Sequence, residues 1–101
     1  MAIMDVAIIP LGTKTPSVSK YVTRAVRVLE NDKAVKYELT AMGTIIEGDL
    51  SHLLTLAQQM HESAFSTGAE RVVTIIKIDE RKDQAATINS KVTTVKRELD
   101  K

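Results

Sequence analysis

The stretch Tyr37-Glu38-Leu39-Thr40-Ala41-Met42-Gly43-Thr44-Ile45-Ile46-Glu47-Gly48-Asp49 decides how the chain is organised. Two short runs rich in Tyr, Leu, Thr and Ile flank Met42-Gly43, which reads as a β-hairpin whose glycine supplies a positive φ at the turn. The second strand, expected over residues 34–41, sets Val35, Tyr37, Leu39 and Ala41 against Lys36, Glu38 and Thr40, because a strand changes face at every residue. The third strand runs from the turn to Gly48. Thr40, Thr44 and Glu47 are polar residues on a hairpin that must also build core, so they are candidates to face a ligand. Which of them share a face depends on the hairpin register, and a slip of one residue reverses the answer.

Upstream, residues 3–9 alternate with Met4, Val6 and Ile8 on one face and Ile3, Asp5, Ala7 and Ile9 on the other. Both faces are mostly apolar, the pattern of a strand covered on both sides. Residues 10–16, with Gly12 between Pro10 and Pro16, read as the first loop. Thr15 or Ser17 is placed to cap a helix in which Val18, Tyr21, Val22, Ala25, Val26 and Leu29 recur at helical spacing and which ends near Asn31-Asp32.

Downstream, Asp49 stands where a cap is needed for a long helix carrying Leu50, Leu53, Leu54, Ala57, Met60, Ala64 and Phe65, and Gly68 is the expected glycine after its end. The β-branched run over residues 72–78 is the fourth strand. After a charged loop, Ile88, Val92, Val95 and Leu99 fall at 4-3-4 spacing on a third helix over about residues 87–100. The order β-α-β-β-α-β predicts an α+β fold, the ferredoxin-like sandwich: a four-stranded antiparallel sheet with two helices on one face, plus the C-terminal helix. Helices on one face leave the other open while the first strand is apolar on both; the third helix is a candidate cover, packing on its own domain or on another subunit, and homo-oligomerisation is the preferred account.

Residues 1–101 are long enough for one domain with one core. The absence of cysteine excludes disulfides and thiolate chemistry. Fourteen basic against thirteen acidic residues supply no strong field for nucleic acid, and Tyr21, Tyr37 and Phe65 are too few for a base-stacking platform. The N-terminal residues lack a basic region ahead of their apolar run, and no segment approaches the roughly 20 apolar residues of a membrane span, so a cytoplasmic location is expected.

Gly12-Thr13-Lys14-Thr15 sits between a strand and a helix, yet it lacks the G-x-x-x-x-G-K-[ST] spacing of a nucleotide phosphate loop. His52 and His61 are nine residues apart on one helix, not the i, i+4 spacing that brings two imidazoles to one metal, so no metal or other cofactor is expected. There is no Gly-x-Ser-x-Gly elbow, and nothing supports catalysis.

Three segments, residues 6–13, residues 17–22 and the hairpin of residues 37–49, together resemble the thiamine-binding protein family, and the resemblance continues through residues 77–81 and the terminal helix. The family pattern often has proline before Met-Gly, where this chain has Ala41. The resemblance implies a ferredoxin-like fold, assembly into homodimers or tetramers, and non-enzymatic binding of thiamine or its hydroxymethylpyrimidine moiety in the cytoplasm. Set against that ligand, Ser17, Ser19, Thr40 and Thr44 are hydroxyl partners. Tyr37 and Met42 offer flat or polarisable surface, and Glu47 or Glu38 offers a carboxylate for an amine or a protonated ring. A structural or regulatory protein-interaction module remains the alternative reading, as neither nucleic acid nor membrane is an expected partner.

Overall fold

A computed structural model of the chain describes residues 1–83 and 87–101. Seven elements follow in the order β1 (Ala2–Leu11), α1 (Ser19–Arg27), β2 (Lys36–Leu39), β3 (Thr44–Gly48), α2 (Leu50–Ser66), β4 (Arg71–Glu80) and α3 (Ile88–Leu99). The strands form one sheet in the order β2-β3-β1-β4, with every neighbour antiparallel, and α1 and α2 cover one face. This is the ferredoxin-like arrangement expected from the element order.

β1 organises the core because it is paired on both sides. Its residues 2–6 lie against β3 and its whole length lies against β4. Met4 and Val6 are buried toward the helices, where Ala25 and Leu29 from the first helical segment and Leu53, Leu56, Ala57 and Met60 of α2 close over them with Ile46. Complete burial of each such aliphatic side chain contributes about 1.5–3 kcal/mol before entropy is counted.

The boundaries move in instructive ways. β1 continues through Pro10 to Leu11 instead of stopping at the proline, because β3 pairs with β1 only as far as Val6. Beyond that point β1 has only β4 beside it, and a proline whose missing N–H lies on the unpaired side breaks no ladder. α1 begins at Ser19 with Val18 at the cap position and no side-chain cap, so neither Thr15 nor Ser17 caps it. Its regular part ends at Arg27, and tighter turn bonds such as Leu29 N–H to the Val26 carbonyl (2.9 Å) carry the chain to Asp32. Asp49 holds the cap position of α2, but its carboxylate accepts from the Ser51 hydroxyl (2.8 Å). Gly68 behaves as expected: φ is +119°, and Ala69 N–H reaches back to the Ala64 carbonyl at 3.0 Å.

Gly43 is needed for a different reason from the one the sequence suggests. Positive φ occurs at Gly12 and Gly68 and not at Gly43. A Cβ on Gly43 would lie 2.9 Å from Asp5 Oδ1 and 2.9 Å from the Val6 carbonyl oxygen, so the hairpin turn rests directly on β1. Close approach, not backbone handedness, demands glycine here.

Both histidines have polar partners. His52 Nε2 donates to Asp32 Oδ2 (2.7 Å), tying the start of α2 to the loop after α1, and His61 Nδ1 meets Thr74 Oγ1 (2.6 Å) while its ring stands edge-on to Phe65. The Ala34 N–H, with a smaller contribution from His52, holds the Asp32 carboxyl below its ordinary range against the partial burial that would raise it. Among the described residues no three metal-binding side chains are placed to share an ion, and no helix is long and apolar enough to cross a membrane.

Two outcomes follow from this packing. Gly43→Ala should lower stability by about 1–3 kcal/mol, read from denaturant midpoints, since the Val6 backbone cannot yield as a side chain would; an unchanged midpoint would refute the close approach. Because Asp32 has a depressed native pKa, its contribution is complete above the unfolded value and is lost as pH falls through the native one. The Tm difference between the parent and Asp32→Asn should therefore be present at pH 6 and shrink toward zero in strong acid.

Candidate functional site

The register divides the hairpin's side chains between the two faces of the sheet. Leu39 pairs with Thr44 and Tyr37 with Ile46, on the helix side; Glu38 pairs with Ile45 and Lys36 with Glu47, on the open side. The polar residues singled out in the sequence therefore do not converge on one surface.

On the helix side, the diverging ends of β1 and the hairpin leave a cavity of about 380 Å³ beneath α1. Val18, Val22 and Ala25 of the α1 region form its roof, and Val6, Ile8 and Met60 line its interior. Leu39 and residues 40–44 close its end. The turn that forms this end is held by a single side chain. Thr40 Oγ1 donates to the Gly43 carbonyl (2.8 Å) and accepts from the N–H groups of Met42 (3.2 Å) and Gly43 (3.1 Å), while Thr40 N–H also reaches the Gly43 carbonyl (2.9 Å). Thr40 is thus committed to shaping the rim. Met42, at the tip, is 88% exposed and leaves its thioether free to fold over a guest.

Thr44 is the cavity's other threonine, and its side chain is not spent on the turn. It is only 4% exposed and lines the cavity, and its hydroxyl makes no hydrogen bond among the described residues. A hydroxyl can donate or accept, so it can meet either an amine or a ring nitrogen. No charged side chain lines the cavity. A flat, neutral ring with one polar edge matches this lining. A cation buried there would be stripped of water without a counter-charge.

The remaining expected residues lie elsewhere. Ser17 and Ser19 are exposed at the start of α1, with their hydroxyl oxygens 3.4 Å apart, and neither lines the cavity. Tyr37 lies on the edge strand and borders a small groove with Lys36, Glu38, Glu47, Ile88 and Asn89. Glu47 is only 5% exposed and is on the opposite face of the sheet, where Oε2 accepts the Ile88 N–H at 2.7 Å. It supplements the Thr87–Ser90 capping box and pins the start of α3 to the sheet. Val18, Val22, Ala25 and Met60 were legible only as core positions, because a helical stripe looks the same whether it packs tightly or roofs a cavity.

Comparison with known proteins agrees with this architecture. Residues 4–96 match the family model described as thiamine-binding protein. The chain is 49% identical over 102 residues to the UPF0045 protein YqgV of Bacillus subtilis, covering 98% of each, and 46% identical to a UPF0045 protein of Staphylococcus xylosus, covering 99% of this chain and 96% of that one. Among solved structures, the hypothetical protein MJ1052 of Methanocaldococcus jannaschii superimposes with a TM-score of 0.85 at 41% identity, over 93% of this chain and 94% of that one. A Thermotoga maritima protein named for thiamine biosynthesis/salvage has a TM-score of 0.79 at 19% identity, over 93% and 97%, a likeness of fold alone. With a family match over nearly its whole length and relatives close to half identical, the chain belongs to the thiamine-binding protein family.

Proposed function

We propose that the chain is a non-enzymatic, cytoplasmic binding protein for thiamine or its hydroxymethylpyrimidine moiety, with the pyrimidine ring held in the cavity beneath α1. The observation that carries this reading is an apolar cavity of about 380 Å³ lined by Thr44, a residue only 4% exposed whose hydroxyl remains open to solvent and makes no hydrogen bond among the described residues. Small-molecule sites combine apolar walls with a few placed polar groups in this way. Thr44 meets the polar edge of the ring, Met42 covers it, and Thr40 keeps the rim in shape. With no carboxylate in the cavity, the charged thiazolium of thiamine stays outside in water. Glu47 serves the placement of α3 rather than the ring.

Self-association completes the proposal. β4 is an edge strand of ten residues, with Val73 and Ile75 exposed on its open face and Ile76 and Ile78 exposed on the other. A long apolar edge of this kind is a template for another strand. If a second copy pairs antiparallel about Ile75, Arg71 faces Asp79 of the partner subunit, Val72 faces Ile78 of the partner subunit and the two copies of Ile75 face each other. The exposed Val92, Val95 and Leu99 of α3 offer a further surface for a tetramer.

Calorimetry should detect hydroxymethylpyrimidine binding about as strong as thiamine binding. Thr44→Val should weaken it up to about tenfold, the worth of one neutral hydrogen bond, whereas Val22→Trp should abolish it and Glu47→Gln should leave it intact. No heat from either compound at millimolar concentration would refute the binding reading. The edge pairing has its own check. In this cysteine-free chain Ile75→Cys should give a disulfide-linked dimer on mild oxidation, and light scattering that shows a monomer at micromolar concentration would rule the pairing out.

A further inference from the structure

The outward side of α1 differs from the side that roofs the cavity. Lys20, Arg24 and Arg27, at i, i+4 and i+7, line a groove of about 760 Å³ with Ser19, Thr23, Ser66 and Thr67, between α1 and the end of α2. A second groove, of about 700 Å³, shares Lys20 and Thr67 with the first and adds Lys14. We propose that this pair of grooves is an oligophosphate site, taking either an inorganic phosphate chain or the phosphate tail of a nucleotide.

The charge distribution is the main argument. From residue 6 to residue 29 the chain holds Lys14, Lys20, Arg24 and Arg27 and no acidic residue, while the rest carries ten basic against thirteen acidic residues. A net charge of +1 therefore conceals one strongly positive surface on an otherwise acidic chain. Like charges one turn apart weaken a helix, so three of them on nine-residue α1 disfavour its formation and create a local field. The structure does little to neutralise them. Arg27 reaches Glu30 only at 3.9 Å with both side chains exposed, and Lys20 lies 5.2 Å from the centre of the Tyr21 ring. Lys14 and Arg24 have no ion pair among the described residues. Glu70 is the acidic residue of the second groove; the first has none. The carboxyl end of α2 brings about half a negative charge to the region, which offsets only a fraction of three cations.

The geometry selects more than one phosphoryl group. Seven residues of helix separate Lys20 from Arg27, about 10 Å along the axis, too far for a single phosphate to engage all three heads but within reach of a short chain of phosphates. Guanidinium groups match phosphate oxygens two at a time, and the lysines add point charges. Thr23 and Thr67 donate to the carbonyls of Ser19 and Ser63, which leaves the Ser66 hydroxyl to donate to a phosphate oxygen. The grooves present no aromatic face for a base, because Tyr21 is 4% exposed, so recognition stops at the phosphates. The site lies on the opposite side of α1 from the cavity and does not depend on what the cavity binds.

Calorimetry on the full chain at low ionic strength tests the proposal with tripolyphosphate, ATP, orthophosphate and adenosine. Tripolyphosphate and ATP should bind with similar affinity, orthophosphate at least about tenfold more weakly, and adenosine not at all; added salt should weaken binding steeply. The double substitution Lys20→Glu/Arg24→Glu should abolish binding with the thermal unfolding transition retained, and Lys20→Arg/Arg24→Lys should preserve it. Equal tripolyphosphate affinity in the parent and the charge-reversed protein would overturn the proposal. So would the absence of binding to the parent, or ATP binding matched by adenosine.

Discussion

Every layer of this protein depends on the pairing of β1 on both sides. That strand carries Met4 and Val6 into the contact with both helices, holds β3 and β4 in register, and provides the backbone on which the hairpin turn rests. A strand with neighbours on both sides cannot shift by one residue without turning Met4 and Val6 out of the core and Asp5 into it. The constraint extends to the cavity, because the turn at its end is positioned by the 2.9 Å clearance between a would-be Gly43 Cβ and the Val6 carbonyl.

The sheet then divides the chemistry by face. Toward the helices lie Thr44 and the apolar lining, in a space without charge. Away from them lie Lys36, Glu38, Glu47, Asp5, Lys77 and Asp79, where Lys77 pairs with Asp5 and Lys91 of α3 pairs with Asp79. Glu47 and Lys91 tie α3 to the sheet through polar contacts, and among the described residues of that helix none is fully buried. The C-terminal helix is therefore oriented by the fold while its apolar stripe stays exposed, an arrangement suited to a surface completed by assembly.

The fold was legible in the sequence because its signals are local and redundant. The alternation of β1, the helical stripes through Tyr21 and Ala25 and through Leu53 and Met60, and Gly68 after α2 each specify an element without help from the others. The site was legible only in part. Of the hairpin residues, Thr40, Met42 and Thr44 border the cavity. Glu47 lies away from it on the open face of the sheet, Tyr37 is on the helix side but outside its lining, and Ser17 and Ser19 sit at the exposed start of α1, because neither strand register nor helix phase follows from proximity along the chain. The tolerance of Pro10 within a strand depends on where β3 ends, and the close approach that demands glycine at 43 exists only once β1 lies beside the turn.

Periodicity and turn chemistry in the sequence alone determined the element order, the antiparallel class of the sheet, the absence of thiol chemistry and the concentration of positive charge before residue 30. Only the tertiary structure decided that Thr44 faces an apolar cavity while Glu47 caps a helix on the far side, that Thr40 is spent on its own turn, and that α1 carries a neutral lining on one side and cations on the other. The physical reason is that strand and helix periods are properties of neighbouring residues, whereas the partner of a polar atom is set by a register that brings together residues as distant as Glu47 and Ile88.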